Sequence, residues 1–143
     1  MTKIGILSDT HGYLDTRIFT HFADVDEIWH AGDWGSSELV RKLQDFKPLQ
    51  GVYGNIDGQD TRMVFPKTKR FRCEDVEVML THIGGYPGRY DATIRQEIFK
   101  NPPKLFVCGH SHILKVVYDN ALDLLHINPG AAGRYGFHTV QTL

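Results

Sequence analysis

The stretch Lys3-Ile4-Gly5-Ile6-Leu7-Ser8-Asp9-Thr10-His11-Gly12 decides the fold. Its apolar half reads as a short buried strand, and its polar half as a loop opening at that strand's carboxyl end. Working outward, Leu14, Ile18 and Phe22 recur at i, i+4 and i+8, which predicts a helix. Asp15 is expected in its first turn, where a carboxylate suits the helix dipole. Residues 25–31 predict a second strand ending at Gly32-Asp33. Ser36 or Ser37 can cap a second helix with Leu39, Leu43 and Phe46 on one face, stopped by Lys47-Pro48. Residues 49–53 predict a third strand ending at Gly54-Asn55. A β-α-β-α-β order implies parallel strands joined by right-handed crossovers.

The second half changes character. Residues 67–73 and 76–80 flank a Glu74-Asp75 turn as a hairpin whose second arm ends at Thr81-His82. Asp91 can cap a third helix carrying Ile94, Ile98 and Phe99, which stops before Asn101-Pro102-Pro103. Residues 105–108 predict a buried strand ending at Gly109-His110-Ser111-His112. Residues 114–118 and 122–127 flank Asp119-Asn120 as a further hairpin, and residues 137–143 are expected to form a last strand. Parallel pairing that gives way to hairpins predicts an α/β sandwich with mixed sheets rather than a doubly wound sheet.

Composition narrows the class. The 143 residues suit one domain, 1–143, and 41% hydrophobic with 23% charged residues is ordinary for a globular protein. Sixteen basic against seventeen acidic residues argue against a nucleic-acid track or an anionic membrane as the main partner. No apolar run reaches the length of a membrane span, and the apolar block before Ser8-Asp9 is too short for a secretory leader. Two cysteines, Cys73 and Cys108, make a disulfide framework unexpected and suit a cytoplasmic location.

The eight histidines carry the positional logic. In open α/β sheets, function gathers beyond the carboxyl ends of the strands. There the sequence places Asp9-x-His11, Asp33, Asn55, His82 and His110-x-His112: three oxygen donors and four imidazoles. That is too many for one tetrahedral ion, and suits two ions that share a carboxylate. In an extended segment residues i and i+2 point the same way, so each D-x-H or H-x-H pair is expected to aim two donors at one place. Gly12, Gly32, Gly54 and Gly109 stand beside these donors, where the backbone must turn and leave room. Mixed nitrogen and oxygen donors favour Mn, Fe, Zn, Co or Ni over Ca or Mg, with manganese first. No cysteine falls at a donor position, which disfavours a structural zinc site.

Taken singly, each of these motifs is an ordinary loop; together, in this order, they resemble the motif series of the calcineurin-like metallophosphoesterases. Chain length and Gly54-Asn55-Ile56-Asp57 are similar to the small bacterial and archaeal phosphodiesterase branch. The resemblance implies a four-layer α-β-β-α sandwich of two mixed β-sheets flanked by helices. It implies one ion on Asp9, His11, Asp33 and His112 and a second on Asp33, Asn55, His82 and His110, with Asp33 bridging. A metal-bound hydroxide would attack phosphorus in line, with Asp33, Asn55 and His82 serving catalysis through the metals and the hydroxide's position. Many members carry a histidine after the Gly-Asn pair that protonates the leaving group or holds the phosphate; here Ile56 stands there, and the phosphodiesterase branch commonly lacks that histidine too. Losing such an acid typically costs 10²–10⁴-fold, so leaving groups that depart unaided are expected.

Several other residues have two readings. His30, Asp57 and Asn128 are candidates to support the metal ligands from behind, although His30 can be a satisfied core histidine and Asp57 an Asx turn with Gly58. His126 can be either supporting or a plain hairpin residue, His21 falls on the polar side of its helix, and His138 has no assigned role. Arg89, Arg134 and the run Lys67, Lys69, Arg70, Arg72 read as surface charge, and Cys108 as a small buried residue. The expected partner is a small phosphate-ester substrate, in a protein that relatives suggest is a dimer or tetramer. Two other functions compete: a non-catalytic scaffold on the same fold, like a retromer subunit, and a dinuclear hydrolase of a non-phosphate ester or amide.

Overall fold

The computed structural model describes residues 1–136, 138 and 140–143. The first half builds β1 (Ile4–Leu7), α1 (Arg17–His21), β2 (Glu27–His30), α2 (Ser37–Phe46) and β3 (Leu49–Gly51). The three strands pair in the order β1-β2-β3, all parallel. A second sheet has the order β4-β5-β8-β10-β9, from Thr68–Cys73, Val76–Thr81, Leu105–Val107, Leu124–Pro129 and Leu114–Asp119 respectively. Its pairings are mixed: β5 and β10 flank β8 in parallel, while β4 and β9 close the edges antiparallel. A short ladder, β6 (Gly85–Tyr86) with β7 (Arg89–Tyr90), precedes α4 (Ala92–Lys100).

Strand periodicity explains the layers, because alternate side chains must leave opposite faces of a sheet. In β1 and β2, Leu7 and Ile28 pack with Ile18, Phe22, Leu39 and Leu43 of the α1–α2 layer. Ile4, Ile6 and Trp29 point the other way and meet Val78, Leu80 and Val107 of the second sheet. From that sheet Met79 and Phe106 face outward onto Ile94 and Ile98 of α4. Three apolar interfaces thus separate four layers, the sandwich of two sheets between helices expected above; pairing is mixed in the five-stranded sheet and parallel in the three-stranded one.

Some expected elements differ. The first helix is only five residues, and Asp15 lies before it, accepting from Arg17 N and its guanidinium rather than sitting in the first turn. The helix α3 (Gln59–Val64) has no counterpart in the apolar pattern because only Thr61 is buried on it. Of the expected last strand, Phe137 and Thr139 lie outside the described residues, and 140–143 are not in a strand. Thr142 N instead donates to Ala131 O (2.8 Å), and the Gln141 amide to Ala132 O (2.9 Å). No helix among the described residues is long and apolar enough to cross a membrane.

Candidate metal centre

The carboxyl ends of β1, β2, β3, β5 and β8 all open at one edge, and the loops leaving them carry the seven donors. These loops are not extended. Asp9, His11, Asp33, His110 and His112 all have positive φ, between 47° and 72°. For residues with a Cβ this left-handed conformation is uncommon and strained, and it concentrates at functional sites. It corrects the expectation that strand-like alternation aims the D-x-H and H-x-H pairs: tight left-handed turns do so. Two glycines make room. A Cβ on Gly54 would collide with the Asp33 carboxylate, and one on Gly109 with Ser8 Oγ and the Asp9 carboxylate.

Each carboxylate has one oxygen tied to the protein and one aimed at imidazoles. Asp9 Oδ2 accepts from Ser8 Oγ (2.6 Å) and His110 N (3.0 Å), while Oδ1 lies 3.2 Å from His112 Nε2 and 3.8 Å from His11 Nε2. Asp33 Oδ1 accepts from Ile56 N (3.1 Å). Its Oδ2 lies 3.4 Å from His11 Nε2 and 3.2 Å from His82 Nε2, so it stands between two groups of donors. Those groups are Asp9, His11 and His112, and Asp33, His82 and His110. Asn55 Oδ1 joins the second, 3.0 Å from both His82 Nε2 and His110 Nδ1. All seven sequence-predicted donors therefore converge on one cleft.

The donors fit divalent cations. Asp9 Oδ1 and His11 Nε2 are buried, and no hydrogen bond reaches either among the described residues. A buried polar atom without a partner costs about 1–3 kcal/mol, which a bound cation would offset. Tautomers agree. His82 Nδ1 donates to Ala31 O (2.7 Å), which leaves Nε2 as the lone pair facing Asp33 and Asn55.

Electrostatics follows from this crowding. Burial works to raise both carboxyls, but His11 and His112 beside Asp9, and His82 beside Asp33, outweigh it and hold both low. Asp9 in turn draws His11 upward. Burial opposes charge on His82, yet Asp33 and Asp9 raise it on balance. Without metal the two carboxylates thus favour protons on His11 and His82.

Behind the donors, Asp57 is 5% exposed. It accepts from the backbone N of Asp33 (3.0 Å), Trp34 (3.2 Å), Gly35 (3.0 Å) and Gly54 (2.8 Å). It thus supports the donors from behind by pinning two of their loops together through backbone N–H groups. Buried His30 accepts at Nδ1 from Gly32 N (3.1 Å), so Nε2 carries the proton toward Thr10 Oγ1 (3.0 Å). Burial pushes it down to about 3, which keeps it neutral. Its ring stacks on Trp34 at 3.7 Å, and Trp34 on Phe65 at 4.5 Å, a pillar beneath Asp33. Asn128 Nδ2 donates to Gly109 O (3.0 Å) and Ser111 Oγ (3.1 Å), tethering the loop that carries His110.

One residue of the site is missing from the sequence reading. His138 Nε2 donates to Gly133 O (2.8 Å), so its Nδ1 accepts from His112 Nδ1 (2.9 Å) and leaves His112 Nε2 free to face Asp9. Only the tertiary contact reveals this, because no motif links positions 26 apart. His126 instead donates to Gly85 O (3.0 Å) beside Cys108, whose thiol burial pushes up to about 12. His21 and Arg89 are exposed, and Arg134 lies over the Tyr13 ring at 4.0 Å.

The model of the calcineurin-like phosphoesterase superfamily domain matches residues 2–143. The chain belongs to that superfamily. Among relatives, a probable metallophosphoesterase of Mycoplasma pneumoniae is 31% identical, covering 92% of this chain and 79% of its own. A phosphodiesterase of Methanocaldococcus jannaschii is 25% identical, over 99% of this chain and 92% of its own. In three dimensions the chain is similar to vacuolar protein sorting 29 of Cryptosporidium parvum, with TM-score 0.75 and 21% identity over 92% of this chain and 75% of that one. That likeness is one of fold. Membership in a phosphoesterase superfamily and the converging donors agree in chemistry: divalent metals acting on phosphate esters.

Proposed function

We propose that the protein is a dinuclear-metal phosphodiesterase that hydrolyses a small phosphate diester by in-line attack of water at phosphorus, without a side-chain general acid. The reading rests on one observation: the unpaired Asp9 Oδ1 and His11 Nε2 lie buried among two donor groups. Asp9, His11, Asp33 and His112 would hold one ion, and Asp33, Asn55, His82 and His110 the other, with Asp33 serving in both sets. When bound, the ions supply Lewis-acid activation of water and neutralise charge developing on the phosphoryl oxygens. Manganese is the first ion to test, with iron, zinc, nickel and cobalt beside it, all of which accept mixed nitrogen and oxygen donors.

The chain's own residues position and insulate. Ser8, Ile56 N and His110 N fix the two carboxylates, and Ala31 O and His138 fix imidazole tautomers. Ile56, 47% exposed, lines the cleft with Asn55, His110 and Ser111, and it has no proton to give. Reactivity should therefore favour good leaving groups such as p-nitrophenolate. The scaffold reading gives the two unpaired buried atoms no role.

Hydrolysis of bis(p-nitrophenyl) phosphate with Mn²⁺, before and after EDTA, tests the proposal. It expects metal-dependent turnover that Asn55→Ala and His82→Ala reduce at least tenfold. No metal-dependent turnover, or full activity in both variants, would overturn it.

A further inference from the structure

Beside the metal cleft lies a second cavity of about 330 Å³. Asn55 and His82 belong to its wall as well as to the donor cluster, so the two spaces meet at the metal centre. Tyr53, Arg62, Lys67 and Asp91 line it as well. Arg62 comes from α3, the helix that carries almost no buried side chain. Tyr53 and Lys67 flank the segment that contains it.

This wall is organised for an anion. The Arg62 guanidinium lies 4.4 Å over the Tyr53 ring, and its Nε donates to Asp57 O at 2.7 Å. One terminal nitrogen also reaches Asn55 O, at 3.4 Å. The side chain is thus held in place while other N–H donors of its fork stay uncommitted. Lys67 has no carboxylate within 4.0 Å among the described residues, whereas Lys104 and Arg70 do. Asp91, the carboxylate lining this cavity, caps α4 with Oδ2 through Thr93 N (3.0 Å) and Thr93 Oγ1; its carboxyl is held low by Thr93 first and by the Lys67 charge in smaller part. In a chain of net charge −1, Arg62 and Lys67 add positive charge beside a centre whose two ions, when bound, would already neutralise the reacting phosphate. They call for further negative charge on the substrate. The volume sits at the low end of the range for small-molecule sites, about 300–1,000 Å³, and admits a sugar-sized group bearing a phosphate.

We propose that Tyr53, Arg62 and Lys67 form an anion subsite next to the metal centre, and that the preferred substrate is a phosphodiester carrying a second phosphate on one substituent. The proposal rests on the phosphodiesterase reading for its reaction but not for its binding. Arg62 and Lys67 grip the second phosphate by charge-assisted hydrogen bonds, and the Tyr53 ring backs the guanidinium.

Two esters that differ by one phosphate test it: the 5′-p-nitrophenyl esters of thymidine 5′-monophosphate and of thymidine 3′,5′-bisphosphate. With Mn²⁺ at low salt the parent should show kcat/KM at least tenfold higher for the bisphosphate ester. The preference should shrink as ionic strength rises. In Lys67→Ala the ratio should fall below three, and in Lys67→Glu to one or less; Lys67 is exposed, so both variants should fold, checked by thermal melting. Independently of turnover, thymidine 3′,5′-bisphosphate titrated into the EDTA-treated protein should bind and move NMR signals of Tyr53 and Arg62, and Lys67→Glu should abolish this. Equal ratios in parent and variants, with hydrolysis intact, overturn the subsite and leave the phosphodiesterase reading standing. Absence of hydrolysis in the parent, with Lys67-dependent binding retained, overturns that reading and supports the subsite.

Discussion

Replacing Asp57 by Ala should loosen two donor loops at once. Its carboxylate accepts from four backbone N–H groups, three through Oδ2 and one through Oδ1, at 2.8–3.2 Å. Hydrogen bonds to a charged partner contribute about 1.5–3 kcal/mol each, so four give roughly 6–12 kcal/mol as an upper bound. Neighbouring Asn55 and Gly58 are exposed, and water entering there would satisfy part of the orphaned donors. A net loss of about 3–5 kcal/mol follows, with a fall in Tm of about 10–15 °C at about 3 °C per kcal/mol for a chain of this size. Because Asp33 and the Gly54-Asn55 loop both hang on this carboxylate, Mn²⁺ affinity should also weaken about 10–100-fold. Asp57→Asn keeps the shape but turns an N–H₂ toward the N–H cluster, and should lose about half as much stability. Thermal melting in EDTA reads the first quantity and calorimetric titration of Mn²⁺ the second. An Asp57→Ala melt within about 3 °C of the parent, together with unchanged Mn²⁺ affinity, would refute the clamp.

Ile56→His should restore a proton donor at the cleft, raising turnover of a phenyl diester about tenfold or more while helping the p-nitrophenyl diester less. Equal effects on both would show that position 56 does not face the leaving group. His138→Ala should weaken Mn²⁺ binding about tenfold by freeing the His112 tautomer, and His138→Gln, whose carbonyl can still accept, should recover most of it. Nitrogen NMR of His112 reads the tautomer directly. Metal uptake must displace protons from His11 and His82, both raised above 6.5 in the metal-free protein. Mn²⁺ affinity should accordingly rise from pH 6 to pH 8.5, and calorimetry in buffers of different ionisation enthalpy should show proton release near neutrality. The shift runs the other way at His30, whose folded value is depressed to about 3: its contribution to stability is present above 6.5 and is lost as pH falls toward 3. With about 1.4 kcal/mol per pH unit, that loss reaches roughly 4–5 kcal/mol, visible as a falling Tm in acid.

The sequence by itself determined the order of α1, α2, α4 and the strands of the two larger sheets, and which polar residues stand at the strand ends. Apolar runs such as those of β1 and β5 must be buried, and a polar residue that ends such a run must lie at the sheet's edge, so Asp9, Asp33, Asn55, His82 and the His110–His112 pair could be placed without coordinates. Caps were equally legible: Ser36 Oγ accepts from Leu39 N (3.2 Å), and Asp91 caps α4. Local pattern failed where stability came from elsewhere. The helix α3 has no apolar face to announce it, and residues 140–143 are fastened by single hydrogen bonds rather than by a strand ladder. The left-handed turns at five donors were also invisible, because residues with a Cβ seldom adopt them and only the surrounding contacts hold them there. Tertiary structure alone decided that Asp57 binds backbone rather than side chains, that His138 reaches His112, and that Arg62 and Lys67 share a wall with Asn55. Each of these joins groups from separate loops, and a hydrogen bond between loops depends on packing that no local spacing encodes.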